Sequence, residues 1–487
     1  MGGTRGGLSR RDTLRVGIGA AAVAGGSVLA GCASGGAGAA PPPAPAAQAG
    51  AVQILFNANC QDVSWDKTTR SLYQQYVDEN FNSNPKYKGI QAVVTANNGQ
   101  GNASSQVTAS ISGNGFPDIL EGCCSDFPTY FSGGWLIPLD DYIKQSNIQT
   151  SIWSTRHMQA LNVGGQQLAI PAYDGTVQIV YRQDILDTLG IAYPDPSWDL
   201  ATAQRIWEQC AGTNPQTKQQ RFGVSVYFHT DDWQKLHFWM KGWGGHEANA
   251  TRTVAMVDQP PGVAAMTWMQ QMVQSKVLTG RADVTPLANG TAVFSMCGVW
   301  TLFTQATLLG TKFKWNTLPV PAWPGGPATY NNIDFYGINK ASRHPDLAWE
   351  LLQWLQVEPG WQQFLMRVEL VTPALLSLWP QWETTVTAVA PTLKGKNVNY
   401  YYEALQKEYS WPAVFFQYDA PSVISTIDNW TGQIWSLKVT AQDAMSQMAA
   451  QINSIQTLGP TLAAAQASAK ASFPSQGPAL ANVVPGL

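Results

Sequence analysis

Three short apolar runs, residues 52–56, 90–95 and 117–120, are separated by stretches whose apolar residues recur at helical spacing. That alternation restricts the fold more than any other feature. A parallel strand pair needs a crossover of a dozen or more residues, so strands alternating with helices build parallel, doubly wound sheets. Between the first two runs, Asp66 can cap a helix carrying Leu72, Tyr73, Tyr76, Val77 and Phe81 on one face, and Asn84-Pro85 stops it. A Gly- and Asn-rich turn and a short helix over 105–112 lead into the third run. The predicted fold class is α/β.

The pattern restarts after Gly164-Gly165. Residues 168–171 and 178–181 read as two strands, followed by helices over 184–189 and 200–209 and a strand over 222–227. Residues 232–241 and 263–274 read as helices and 292–297 as a buried strand, and 313–319 leads into a Pro- and Gly-rich break at 321–327. A strand over 335–338 precedes a helix with Pro345 in its first turn, where a missing N–H costs nothing. A further helix from Trp361 ends before Thr372-Pro373. Two helices follow Val423, and residues 456–487 read as a loose Ala- and Pro-rich tail.

The N-terminal 32 residues carry a different signal. Arg10-Arg11 precedes a charge-free, weakly apolar run over 16–30 that ends in Leu29-Ala30-Gly31-Cys32. Paired arginines, a short apolar segment and small residues before a cut site describe an export signal, and the run is too short and too Gly-rich to span a bilayer. It resembles a twin-arginine signal with Thr13 where Phe is usual, fused to a lipobox whose Cys32 becomes the lipidated first residue. Residues 1–31 are then the signal, 32–50 a flexible tether around Pro41-Pro42-Pro43, and the mature protein stands on the extracytoplasmic face of a bacterial membrane.

Composition narrows the function. Without its first 31 residues, which hold four arginines and one aspartate, the net charge of −3 becomes −6, and no basic run remains to grip nucleic acid. Charged residues are 13% of the chain, against about 25% in ordinary soluble domains. With 20 Trp and 16 Tyr, the chain is rich in flat apolar faces that suit sugar rings. Cys60, Cys123, Cys124, Cys210 and Cys297 form no paired Cys-x-x-Cys motif, so no zinc site is expected, and their odd number leaves at least one thiol over. Of the five histidines, His157, His229, His237, His246 and His344, His229 with Asp231 and Asp232 or His246 with Glu247 could ligate a metal, but His237 and His246 are nine apart, which suits no common zinc motif, and no nucleophile elbow or phosphate loop is present. Neither a metal, a cofactor nor a catalytic residue is called for.

The order of several degenerate signatures resembles the family 1 solute-binding proteins of ABC importers, the group that contains maltose-binding protein. Gly115-Phe116-Pro117-Asp118-Ile119-Leu120 is similar to the family's G-x-P-D-I-x strand. Gly134-Trp135-Leu136-Ile137-Pro138-Leu139 resembles its G-x-L-x-P-L segment, and Val180-Tyr181-Arg182-Gln183-Asp184-Ile185-Leu186 its Y-N-x-D-L crossover, with Arg182 where Asn is common. Asn289-Gly290-Thr291-Ala292-Val293-Phe294 through Gly298-Val299-Trp300 is similar to G-x-x-A-M…G-x-W, and Tyr336-Gly337-Ile338-Asn339-Lys340 completes the set together with Val439-Thr440-Ala441-Gln442-Asp443-Ala444.

The resemblance implies the periplasmic-binding-protein type II fold: two doubly wound lobes joined by a multi-strand hinge, crossing near Asp174-Gly175, at 319–323 and at Val371-Thr372. One lobe would hold residues 51–174 with 325–370, the other 175–324 with 371–455. Ligand contacts are expected from Asn57, Asn59, Asp62, Trp65, Asp126, Phe127, Tyr173, Asp174 and Trp300, with Trp300 stacking on a pyranose and Asp126 and Asp174 accepting hydroxyl hydrogens. The loop Glu121-Gly122-Cys123-Cys124 lacks the tryptophan of many maltodextrin binders, so maltose is not carried over. In this fold the loops of Cys60 and of Cys123-Cys124 are neighbours, and a disulfide between Cys60 and one of the two is expected. The expected protein is a monomeric, lipid-anchored receptor that hands a neutral sugar to a membrane permease without chemistry. An exported glycan hydrolase, a passive glycan adhesin and a binder of glycerol-phosphate-type solutes remain the alternatives.

Overall fold

The computed structural model describes residues 50–58, 67–96, 117–123, 126–215, 217–227, 232–279, 285–412 and 416–472. The signal, the tether up to residue 49 with its Cys32, and the expected helix over 105–112 lie outside them. So do Asn59, Cys60, Asp62, Trp65 and Cys124.

Strand Val52–Ala58 pairs in parallel with Ile90–Ala96 on one side and with Ile119–Gly122 on the other. Helix Lys67–Val77 crosses between the first two, as the spacing predicts. Strand Thr329–Ile338 returns antiparallel beside Ile119–Gly122 and continues the sheet to Ile170–Arg182, Ala292–Gly298 and Gln220–Tyr227. The last two are parallel to each other. Among the described residues the sheet has twelve strands and is flanked by two apolar cores.

The two strands expected over 168–171 and 178–181 are one unbroken strand, Ile170–Arg182, which begins two residues later than expected and is buried at every residue. The polar stretch Asp174-Gly175-Thr176 interrupts the apolar pattern, but both polar side chains have a tertiary partner. Thr176 Oγ1 donates to the Tyr401 carbonyl at 2.6 Å, and Gln178 Nε2 to that of Tyr400 at 3.0 Å. The first half of the strand pairs with Thr329–Ile338 and Thr372–Pro373, the second with Ala292–Gly298 and Trp315–Leu318. One strand therefore serves both halves of the sheet.

The tail also differs from expectation. Helix Ala441–Ser472 runs through Pro460 instead of stopping near residue 456. Gln456 staples it by accepting from Tyr418 N at 3.0 Å and donating to Tyr418 O at 2.6 Å, and Gly459 lies so close to the Tyr418 ring that a Cβ would not fit. That docking outweighs the helix bond removed by proline. Arg182 has a structural role: its guanidinium grips both oxygens of Asp184, donates to the Leu287 carbonyl and lies 3.7 Å from the centre of the Phe313 ring.

Candidate functional site

Strand Ala292–Gly298 is buried along its whole length and ends at the helix Val299–Leu309, which places Trp300 at the strand's carboxyl end. The half-buried indole packs against both apolar cores. It lies over Gly298 and Gly175, neither of which leaves ordinary room for a Cβ. Trp300 thus rests on the long strand where that strand passes from one half of the sheet to the other.

Successive residues of a strand face opposite sides. Trp300 covers the Gly175 side, so the adjacent Asp174 faces away from it. Asp174 is 0% exposed. Its Oδ1 lies 2.8 Å from His157 Nδ1 and accepts from Asn331 Nδ2 at 3.1 Å. The structure therefore does not bring Asp174 and Trp300 together around one ligand. Two more expected contacts lie inside the protein. Phe127 is 0% exposed and meets Phe335 edge-on, with ring centres 5.1 Å apart, while Tyr173 is buried in the core opposite Asp334 and Pro373. Their aromatic character made them resemble sugar contacts in the sequence, and their packing supplies core.

Asp126 opens helix Asp126–Ser132 at the carboxyl end of strand Ile119–Gly122 and accepts from Cys123 N at 3.1 Å. Burial pushes its carboxyl up to about 6, against the opposing effect of the Cys123 hydrogen bonds. Gly122 is needed here, because a Cβ would lie 2.8 Å from Asp126 Cβ and 2.9 Å from Phe335 Cζ. Cys123 is buried in the same core. Asn57 is the last residue but one of strand Val52–Ala58, in register with Thr95. Cys210 and Cys297 are buried thiols.

Two aromatic residues that the sequence reading passed over join Trp300. Tyr330 meets it edge-on, with ring centres 6.5 Å apart. Trp411, in the short strand Ser410–Pro412, is the register partner of Tyr330. The Arg156 guanidinium lies 3.8 Å from the centre of a Trp411 ring, and Lys241 Nζ 5.5 Å. Buried His237 supports this row from below: Nδ1 meets the Glu247 carboxylate, and Nε2 lies 2.9 Å from the Trp411 carbonyl. A three-residue strand has too little period to be seen in sequence. Among the described residues, no three His, Cys, Asp or Glu side chains gather as a metal site would require.

Residues 65–360, more than half of the sequence, match the bacterial extracellular solute-binding proteins. The chain belongs to that family. Solved structures agree on the fold. The protein resembles an ABC substrate-binding protein from Listeria monocytogenes in complex with cycloalternan, at 18% identity and a TM-score of 0.66, over 82% of this chain and 98% of that one. It also resembles the cyclic alpha-maltosyl-1,6-maltose binding protein from Arthrobacter globiformis, at 17% identity and a TM-score of 0.67, over 84% and 100% of the two chains. The sugar-binding protein MalE from Xanthomonas citri matches at 16% identity and a TM-score of 0.65, over 88% and 100%. The fold is the periplasmic solute-binding protein type II fold. No described helix is long and apolar enough to cross a membrane.

Proposed function

We propose that this family member captures a neutral saccharide between its two lobes and delivers it to an ABC permease, acting as a binder and not an enzyme. The lobes are residues 51–174 with 325–370 and residues 175–324 with 371–455, and the long strand Ile170–Arg182 is a principal link between them. Lipidation at Cys32 tethers the protein, as a monomer, to the outer face of the membrane. The observation that supports the reading best is the half-buried Trp300 against both cores at the strand crossing, where an indole face can meet a sugar ring. The saccharides named with the similar structures support the same ligand class.

In this reading Trp300 is the apolar platform, and the end of strand Val52–Ala58 and the segment after it supply polar and aromatic contacts from Asn57, Asn59, Asp62 and Trp65. Asp126, Phe127, Tyr173 and Asp174 act from beneath, holding the walls in place. Capture needs no bond chemistry; it needs a closed arrangement whose affinity for sugar exceeds that of the open one. The test is a thermal-shift screen of maltose, maltotriose, raffinose, cycloalternan and glycerol 3-phosphate, with each sugar assayed for hydrolysis. A saturable rise in melting temperature with an intact sugar supports the reading. Cleavage of the sugar, or a shift with glycerol 3-phosphate alone, overturns it.

A further inference from the structure

Helix Val299–Leu309 carries no charged residue. At about 100° per residue, its buried side chains Val299, Thr301, Leu302, Gln305, Ala306 and Leu309 fill one arc. Trp300, Phe303, Thr304 and Thr307 share the opposite arc, at the i, i+3, i+4, i+7 spacing of one helix face, and none of the four is buried. The outer face of such a helix ordinarily bears charge. Helix Leu200–Cys210, of the same eleven-residue length, exposes Arg205 and Glu208. Helix Val299–Leu309 turns two aromatic rings and two hydroxyls outward instead.

Phe303 is 37% exposed. Among the described residues one other aromatic ring, Tyr193, is as open, and it is engaged in polar contacts. Its hydroxyl donates to Asp187 at 2.5 Å, and Lys314 Nζ lies 5.0 Å from the ring centre. A single exposed apolar residue needs no explanation, but a patch of them marks a site of contact. Phe303 stands one turn along from the half-buried Trp300. Side chains three apart on a helix are neighbours, with about 5–6 Å between their Cβ atoms. Long side chains on a helix also lean toward its N-terminus, which directs Phe303 toward Trp300.

The helix starts where strand Ala292–Gly298 ends, and that strand is parallel to its neighbour Gln220–Tyr227. Open α/β sheets hold their ligands at the carboxyl ends of parallel strands. Trp300 and Phe303 are therefore two successive rings on one face of the element that opens at that end. Three residues advance a helix by about 4.5 Å, close to the advance of one pyranose ring along a chain. Thr307 Oγ1 donates to the Phe303 carbonyl at 2.9 Å, which leaves its lone pairs to accept from outside.

From these observations we infer that Phe303 is a second sugar platform beside Trp300, and that the ligand is a neutral oligosaccharide of at least two rings. This rests on the reading of Trp300 as the saccharide platform. One ring lies against the indole and the next against Phe303, each meeting an aromatic face with its C–H face, while Thr304 and Thr307 exchange hydrogen bonds with ring hydroxyls. The uncharged face sets the class: it offers no cation to a carboxylate or phosphate and no carboxylate to an amine. Phe303 is thus a residue that selects for chain length, where Trp300 serves every saccharide the protein binds.

The test is titration calorimetry of the full chain with gluco-, manno- and xylo-oligosaccharides of one to four rings. The parent should gain affinity between the one-ring and the longer members of the series it binds. Phe303→Ala should remove most of that gain, weakening the longer members about tenfold and leaving the one-ring member unchanged. Phe303→Tyr, which keeps the ring, should retain the gain, and Trp300→Ala should weaken every member. Because Phe303 lies at the surface, its variants should melt with the parent. Parent-like affinity of Phe303→Ala at every length overturns the second platform and leaves this face to a protein partner. Equal weakening of one-ring and longer members also overturns it, as does a Phe303→Ala protein that melts well below the parent. In each of those cases a parent that binds sugar, weakened by Trp300→Ala, keeps the saccharide reading. A parent that binds no member of the three series overturns the inference together with that reading.

Discussion

The indole of Trp300 lies on the backbone of Gly175: a Cβ at residue 175 would sit 3.0 Å from Cε3 and 3.1 Å from Cζ3 of the ring. The pair fixes the platform at the crossing strand. Gly175→Ala should tilt the indole and weaken saccharide binding, with an overpacking cost of about 1 kcal/mol in stability. Trp300→Ala should lose about 1–3 kcal/mol of binding, as aromatic anchors do. Because its ring is half-buried, the unliganded protein should melt close to the parent, where a pure core tryptophan would cost about 3–5 kcal/mol. Titration calorimetry with the best sugar of the screen, beside thermal melts, decides between the two roles.

Asp174 should behave oppositely. It ties His157 and Asn331 to the back of the long strand, so Asp174→Ala should cost stability on the order of 1–3 kcal/mol by leaving buried polar partners unsatisfied. Sugar affinity in the folded fraction should change little. Urea denaturation together with calorimetry checks this, and a large affinity loss at unchanged stability would return Asp174 to the ligand site.

The Asp126 carboxyl has a folded value of about 6, above the ordinary 3.8, because it is buried. Its contribution to stability is complete below the lower value and is lost as pH rises through the upper one. The loss is on the order of 3 kcal/mol. Asp126→Asn should flatten that part of the pH profile in chemical denaturation followed from pH 4 to pH 7.

Glu247 titrates in the other direction. Burial pushes it up, but His237 and Lys241 outweigh burial and draw it down to about 2. Its contribution is therefore present above about 4.5 and lost as pH falls toward about 2. Glu247→Gln should remove that acid sensitivity. It should also cost about 3–5 kcal/mol near neutral pH, since Lys241, with its Nζ 3.6 Å from Glu247, loses its buried counter-charge and His237 loses its hydrogen-bond partner. Melting curves at pH 3 and pH 7 distinguish the two effects.

Anchoring is tested at the other end of the chain. Cys32→Ala should release the protein from the membrane fraction, because the two acyl chains of a diacylglycerol thioether make attachment stable. Fractionation followed by immunoblotting reads the result, and retention on membranes would remove the lipobox.

Local pattern made much of the fold legible. The apolar runs that became Val52–Ala58, Ile90–Ala96 and Ala292–Gly298, and the stripe of Leu351, Leu352 and Leu355 in helix Pro345–Gln356, announce themselves because burial repeats with the period of the backbone. The same logic placed Trp300 after a buried strand and a glycine. Asp174, Phe127 and Tyr173 show its limit. Sequence could say that these residue types suit a sugar, but facing is set by strand register and by which side a neighbouring element covers. Trp300 took the Gly175 face, and Asp174 was left to His157 and Asn331. Tyr330 and Trp411 come together only because residues 81 positions apart pair in register. The sequence by itself determined most of the longer elements and the family, through contacts between residues near in the chain. Only the tertiary structure decided which side chains share a face, because that depends on long-range pairing that no local period records.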